Sequence, residues 1–193
     1  MKKRNMLFIA MITSFLLYLF IDTVTDRNKL EELGLSQEAD SLHPVVVQKK
    51  AELVQLAKTR NISILITDGF RSHSEQEELY EQGRTTPGPV VTKARAGTSY
   101  HNYGLAIDFA LLTKEGKALW DTEADLNENG SSDWMEVVQL AKGLGFEWGG
   151  DWPHFPDYPH LQMDFGLSIA ELQQNQDSAG VYVLKKIWNA GKG

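Results

Sequence analysis

The stretches "YGLAIDFALL" (103–112) and "TKEGKALWDT" (113–122) decide the fold. The first alternates or runs apolar as a strand does, and "TKEG" is a turn into a second strand opening with "KALW". Two strands joined so closely pair as an antiparallel hairpin. Toward the N-terminus, "ISILIT" (62–67) reads as a buried, β-branched strand ending at the Asp68-Gly69 turn. Between it and the hairpin, "SHSEQEELYEQG" (72–83) reads as a helix. Ser72 and Ser74 are each followed by a glutamate three residues on, and Gly83 is its stop. An earlier helix runs from Pro44 to about Arg60, where Val46, Val47, Leu53, Val54, Leu56 and Ala57 recur every three or four residues. Toward the C-terminus, the polar loop "DLNENGSSDWME" (125–136) leads into a helix carrying Val137, Val138, Leu140, Ala141 and Leu144. "PHLQMDF" (159–165) then alternates as a final strand, and "GLSIAELQQ" (166–174) is a short helix. Hairpins mixed with helices, rather than repeating strand–helix–strand units, predict an α+β fold with a small antiparallel sheet flanked by helices.

A chain of 193 residues suffices for one domain with a real core and is short for two. Its net charge of −7 offers no basic surplus, so nucleic acid is not an expected partner. The absence of cysteine excludes disulfides and thiolate metal sites. Lys2, Lys3 and Arg4 precede an uncharged run from Met6 to Ile21, the order of an export signal or signal anchor. With no small-x-small cleavage site after that run, residues 1–25 are predicted to be an uncleaved N-terminal transmembrane segment. This places the chain in the cell membrane as a single-pass protein facing outward, with secretion to the wall as the alternative. Residues 26–43 read as a tether and 176–193 as a tail with no readable signal. A monomer is expected.

The candidate chemistry lies in two stretches. "WGGDWPHFPDYPHLQ" (148–162) holds Asp151 three residues before His154 and Asp157 three before His160. Either pair reads as a metal ligand with its general base, or as polar residues in an aromatic loop. In "SYHNYGLAIDF" (99–109), His101 and Asp108 flank Gly104, which lets backbone pass close to another group. A catalytic zinc needs three nitrogen or oxygen ligands and one open position, and His101, Asp108 and one later histidine complete that set. Taken singly, His101 reads as a hydrogen-bonded structural histidine and Asp108 as a cap or turn partner.

Jointly, "SxHxxGxAxDF" and the later "WGGDWxxFxDxPHxQ" resemble the zinc peptidases of bacterial cell walls. That family includes D-alanyl-D-alanine carboxypeptidases of the VanY type and L-alanyl-D-glutamate endopeptidases of the CwlK type, and the spacing is nearest the latter. The resemblance covers roughly residues 62–162. It implies a hedgehog or D,D-peptidase-like fold, with zinc on His101, Asp108 and His160 and with Asp157 as general base. It also implies that Arg71 of "GFRS" binds substrate and stabilises the oxyanion. Members often carry glutamate at the base position, and the aspartate here is shorter. His160 enters an alternating strand that can hold a ligand rigidly, whereas His154 lies between two prolines and is assigned to the cleft wall or surface. Asp151 is a candidate for orienting a ligand. Ser99, Tyr103, Trp148 and Trp152 are candidate substrate-binding residues, with packing as their other reading. The expected activity is a zinc metallopeptidase in residues 44–175 that cuts peptidoglycan stem peptides at the L-Ala–D-Glu bond. A D-alanyl-D-alanine carboxypeptidase and a non-catalytic wall-binding module are the alternatives.

Independently of that family, residues 125–136 fit the calcium loop D-x-[DN]-x-[DN]-G-x5-E. Asp125, Asn127, Asn129, Ser131, Asp133 and Glu136 are the candidate ligand positions, and Gly130 is the turn. Ser132 stands where an apolar residue is usual. A polar turn before a helix capped by Ser131 or Ser132 is the other reading.

Overall fold

A computed structural model describes residues 42–177. Helix α1 (Pro44–Thr59) starts on a proline, whose missing amide costs nothing in a first turn, and buries Val46, Leu53 and Ala57. Strand β1 (Ile64–Asp68) leads to α2 (His73–Glu81). There Ser72 and Glu75 form a reciprocal capping box, which satisfies two otherwise orphaned amides. Next come β2 (Ala106–Leu112), β3 (Ala118–Leu119), α3 (Asp133–Gly143), β4 (Glu147–Trp148), β5 (His160–Gln162) and α4 (Ile169–Asp177).

The strands form one sheet in the order β1-β2-β5-β4, with β3 beside the far end of β2 and every pair antiparallel. Its register places Asp108 opposite both Asp68 and His160, so one row across three strands carries polar side chains. The apolar residues of β2 and β5 join α1 and α3 in one core containing Ile107, Phe109, Leu111, Leu161, Trp134, Val137 and Leu53. Phe109 and Trp134 meet at 4.5 Å between ring centroids. Burying a side chain of this size contributes about 1.5–3 kcal/mol, so this layer fixes β2 and with it Asp108.

Three expectations are corrected. The stretch 62–67 is not a buried strand: β1 lies at the sheet edge, its burial alternates, and Leu65 is 41% exposed. Its apolar run is continuous because Ile62 packs into the core just before the strand begins. The N-terminal transmembrane segment and the single-pass membrane location are also corrected. No helix among the described residues is long and apolar enough to cross a membrane, and the longest, α1, has 16 residues and carries Lys49, Lys50, Glu52 and Lys58. Residues 1–25, on which both expectations rested, lie outside the described residues. The fold is therefore α+β, with no spanning element among the described residues.

Candidate active site

His101 sits in a single 3-10 turn, Tyr100–Tyr103, that is anchored at both ends. Ser99 caps its start, accepting from the His101 amide at 3.4 Å, and Gly104 ends it at a φ of 67°, a left-handed conformation that favours glycine. Gly104 thus serves as a helix stop, and the His43 amide donates to its carbonyl at 2.9 Å. The turn is stitched to the end of β1: the Arg71 amide donates to His101 O at 3.1 Å, and Asn102 Nδ2 donates to Arg71 O at 2.9 Å. Buried Asn102 also accepts from the Gly97 amide at 3.0 Å. Tyr103 donates its hydroxyl to Gly97 O at 2.8 Å, so Ser99 and Tyr103 shape the turn that carries His101.

Three donor atoms converge here. His101 Nε2 lies 3.2 Å from Asp108 Oδ1 and 3.1 Å from His160 Nδ1, and His160 Nδ1 lies 3.4 Å from Asp108 Oδ1. The remaining ring nitrogens decide what those contacts are. His101 Nδ1 is 2.6 Å from Gly69 O, a carbonyl that can only accept, so Nδ1 carries the proton. His160 Nε2 is 3.1 Å from Gln162 Oε1. The Gln162 amide is oriented in turn by donating its Nε2 to Glu147 Oε2 at 3.0 Å, so His160 is protonated on Nε2. In the neutral imidazoles both nitrogens that face each other therefore present lone pairs. Two lone pairs and a carboxylate oxygen with no proton among them are a ligand set for a cation.

The spacing fits zinc in particular. Ligand bonds of about 2.0–2.1 Å in a tetrahedron give edges of about 3.3–3.4 Å, close to the three separations here. Burial alone pushes the Asp108 carboxyl up, but the His101 and His160 contacts outweigh it and hold the group well below the ordinary carboxylate range. Asp108 is therefore ionised, as a ligand must be.

Asp157 is half-buried beside this cluster. Burial first, and the Asp108 charge second, raise its proton affinity, partly offset by His160, His101 and Arg71. Gly149 makes its position possible: a Cβ there would lie 2.5 Å from Asp157 O and 3.0 Å from His160 Cβ. On the other flank Arg71 is clamped. Its Nε and Nη2 donate to Asp68 Oδ2, its Nη1 donates to Gln76 Oε1 at 2.8 Å, and Nη2 lies 3.8 Å from Asp108 Oδ2. A cavity of about 390 Å³ opens beside it, lined by Phe70, Arg71, Glu75, Glu78 and Leu79 among others.

Other predicted residues fall elsewhere. Trp152 stands over His160 at 5.1 Å between ring centroids. Trp148 is 8% exposed and belongs to the core, donating Nε1 to Tyr158 O at 2.7 Å. His154 is exposed. Asp151, a candidate for orienting a ligand, is exposed and pairs with Lys142 at 2.6 Å in a surface bridge. Gln76, Asn102 and Glu147 were missed by the sequence reading, and Gln162 stood in its second motif without a role. The signals for Gln162 were its place as the last specified residue of "WGGDWxxFxDxPHxQ" and the alternation of "HLQ", which puts it two residues from His160 on the same strand face.

In residues 125–136, Asp125 accepts the Asn129 and Gly130 amides at 3.0 and 2.8 Å, and Asn129 Nδ2 donates to Glu136 Oε2 at 2.7 Å. Asp133 is fully buried, with Oδ2 accepting from the Leu126 amide at 3.0 Å and Oδ1 without a hydrogen-bond partner. Ser132, not Ser131, caps α3.

Known proteins are similar to this chain. The family described as D-alanyl-D-alanine carboxypeptidase matches residues 92–163, which include all three converging ligands and Asp157. The peptidoglycan L-alanyl-D-glutamate endopeptidase CwlK of Bacillus subtilis (strain 168) is 56% identical over 137 residues, 71% of this chain and 80% of that protein. The L-alanyl-D-glutamate peptidase of Listeria phage A118 is 32% identical over 114 residues, which span 59% of this chain and 35% of the phage protein. Among solved structures, the L-Ala D-Glu endopeptidase ChiX of Serratia marcescens aligns with a TM-score of 0.44 at 24% identity, over 66% of this chain and 84% of that one. By its identity to CwlK along most of that protein's length, this chain belongs to the zinc peptidase family of D-alanyl-D-alanine carboxypeptidases and L-alanyl-D-glutamate endopeptidases.

Proposed function

We propose that the chain hydrolyses the L-alanyl-D-glutamate bond of peptidoglycan stem peptides, with its catalytic domain in residues 44–175. The observation that carries this reading is the meeting of two imidazole lone pairs and the Asp108 carboxylate at zinc-ligand spacing. His101, Asp108 and His160 would hold zinc, which would supply Lewis acidity for activating water and polarising the scissile carbonyl. Asp157 accepts the proton of the attacking water and returns it to the departing amine, a role suited to a carboxyl whose proton affinity is raised. Arg71, fixed by Asp68 and Gln76, faces the charge that develops on the carbonyl oxygen. Trp152 lines the substrate side of His160. The choice of bond is supported by CwlK, whose name specifies L-alanyl-D-glutamate cleavage. Mass analysis of digested muropeptides tests it. Products that retain only L-alanine on the muramic acid are expected, whereas loss of a terminal D-alanine alone would favour the carboxypeptidase alternative. His160→Ala is expected to abolish the activity and His154→Ala to leave most of it.

We further infer that residues 125–136 take calcium. The unpartnered, buried Asp133 Oδ1 supports this, together with the Asp125 and Glu136 charges that, after burial, raise the Asp133 proton affinity. Arg60 competes for the loop, since its Nη1 lies 3.1 Å from Glu136 Oε1. Calorimetric titration with calcium should show binding in the wild type and none in Asp125→Ala with Glu136→Gln. No heat in the wild type would leave the loop an ordinary polar turn.

A further inference from the structure

We infer that Gln162 and Glu147 act together as a positioning strap that fixes which nitrogen His160 offers to zinc. The inference rests on the zinc reading above. His160 and Gln162 point to the same face of β5, and Glu147 is the cross-strand partner of Gln162 on β4. An imidazole can ligate through either nitrogen, and a free His160 would exchange between the two tautomers. Here Nδ1 faces Asp108 and His101, which requires the proton on Nε2 and an acceptor to hold it there. Gln162 Oε1 is that acceptor at 3.1 Å.

An amide is an ambiguous partner, because rotating it by half a turn would aim its NH2 at His160 instead of its oxygen. Glu147 removes the ambiguity. Its carboxylate can only accept, so the contact of 3.0 Å from Gln162 Nε2 selects the rotamer that presents Oε1 to His160. The selection reaches the metal site from a residue on the outer strand of the sheet, whose side chain is exposed and has no direct contact with the ligand cluster. Glu147 and Gln162 are thus positioning residues, acting on zinc only through the tautomer and orientation of His160.

The test uses the full-length chain and reads zinc affinity by competition with a chromogenic chelator. Losing such an outer partner typically weakens metal binding about 10–100-fold, and Gln162→Leu is expected to fall in that range. Glu147→Leu, remote from the ligands, should weaken zinc toward the lower end. The exchanged pair, Gln162→Glu with Glu147→Gln, keeps an acceptor toward His160 and a donor–acceptor contact between the strands. It should bind zinc within about threefold of the wild type or more tightly. Imidazole nitrogen spectra of the zinc-loaded protein should show a His160 Nε2 proton protected from exchange in the wild type and exchanged pair, and exposed in Glu147→Leu. Wild-type affinity in both leucine variants would overturn the strap, as would a loss in the exchanged pair as large as in Gln162→Leu. If Gln162→Leu does not fold, Glu147→Leu and the exchanged pair decide the matter alone. Failure of the wild-type chain to bind zinc would instead remove the zinc reading.

Discussion

Asp157 works against the stability of the metal-free fold. Burial and the Asp108 charge raise its proton affinity above that of an ordinary aspartate, so the folded chain holds this proton more tightly than the unfolded chain does. The stability gained is fully present below the ordinary carboxylate pKa of about 3.9 and is lost as pH rises through the raised value. At neutral pH it is gone. Asp157→Asn removes the charge, so the metal-free variant is expected to melt above the wild type at pH 7, with the gap closing as pH falls toward about 4. Its turnover should drop roughly 10²–10⁴-fold if Asp157 is the proton acceptor proposed above. Thermal melts across pH check the first statement, and a variant that melts lower at neutral pH would contradict the assigned environment. The candidate ligands His101, Asp108 and His160, and Asp157 beside them, could be singled out in the sequence because imidazoles and carboxylates stand out beside glycine and aromatic residues. Gln76 and Asn102 could not: their partners, Ala94 O, Arg71 O and the Gly97 amide, reach them only through the folded chain.

The turn after β4 shows how an element limits the site. Gly149 has backbone of Asp157 and the side chain of His160 against the place where a Cβ would stand, so Gly149→Ala must push back the segment carrying base and ligand. A shift of about 1 Å in such groups can cost ~10²-fold, and kcat/KM and zinc affinity are expected to fall together. Gly116→Ala is the control. It has a φ of 76° and nothing near its Cβ, so it should cost about 1–2 kcal/mol of stability and leave turnover intact. Equal activity in the two variants would mean that the turn does not position the site. At this scale α1 was legible from its apolar spacing, α2 from its capping signals and β3 from the "TKEG" turn that precedes it, while β4, with two residues and no turn signal, is too short to show a period. β1 misled because an apolar run gives no sign of being at an edge.

Across the whole domain, the ligand cluster joins segments that are remote in the chain. His101 and His160 are 59 residues apart, and their facing nitrogens meet only because β2 and β5 pair with Asp108 opposite His160. An unfolded chain has no such set, so zinc held by it would bind the folded state alone and should stabilise the fold globally rather than one loop. At free zinc one hundred times its dissociation constant, linkage gives about 2.7 kcal/mol. At roughly 2–4 °C per kcal/mol for a chain of this size, the melting temperature should rise about 5–11 °C over chelator-treated protein. His160→Ala should erase the rise while leaving the chelator-treated melt near that of the wild type, because β5 also carries Leu161 into the core. Differential scanning calorimetry in zinc and in chelator measures both. A wild-type melting temperature indifferent to zinc would mean that the three donors do not act as one site, whatever their spacing.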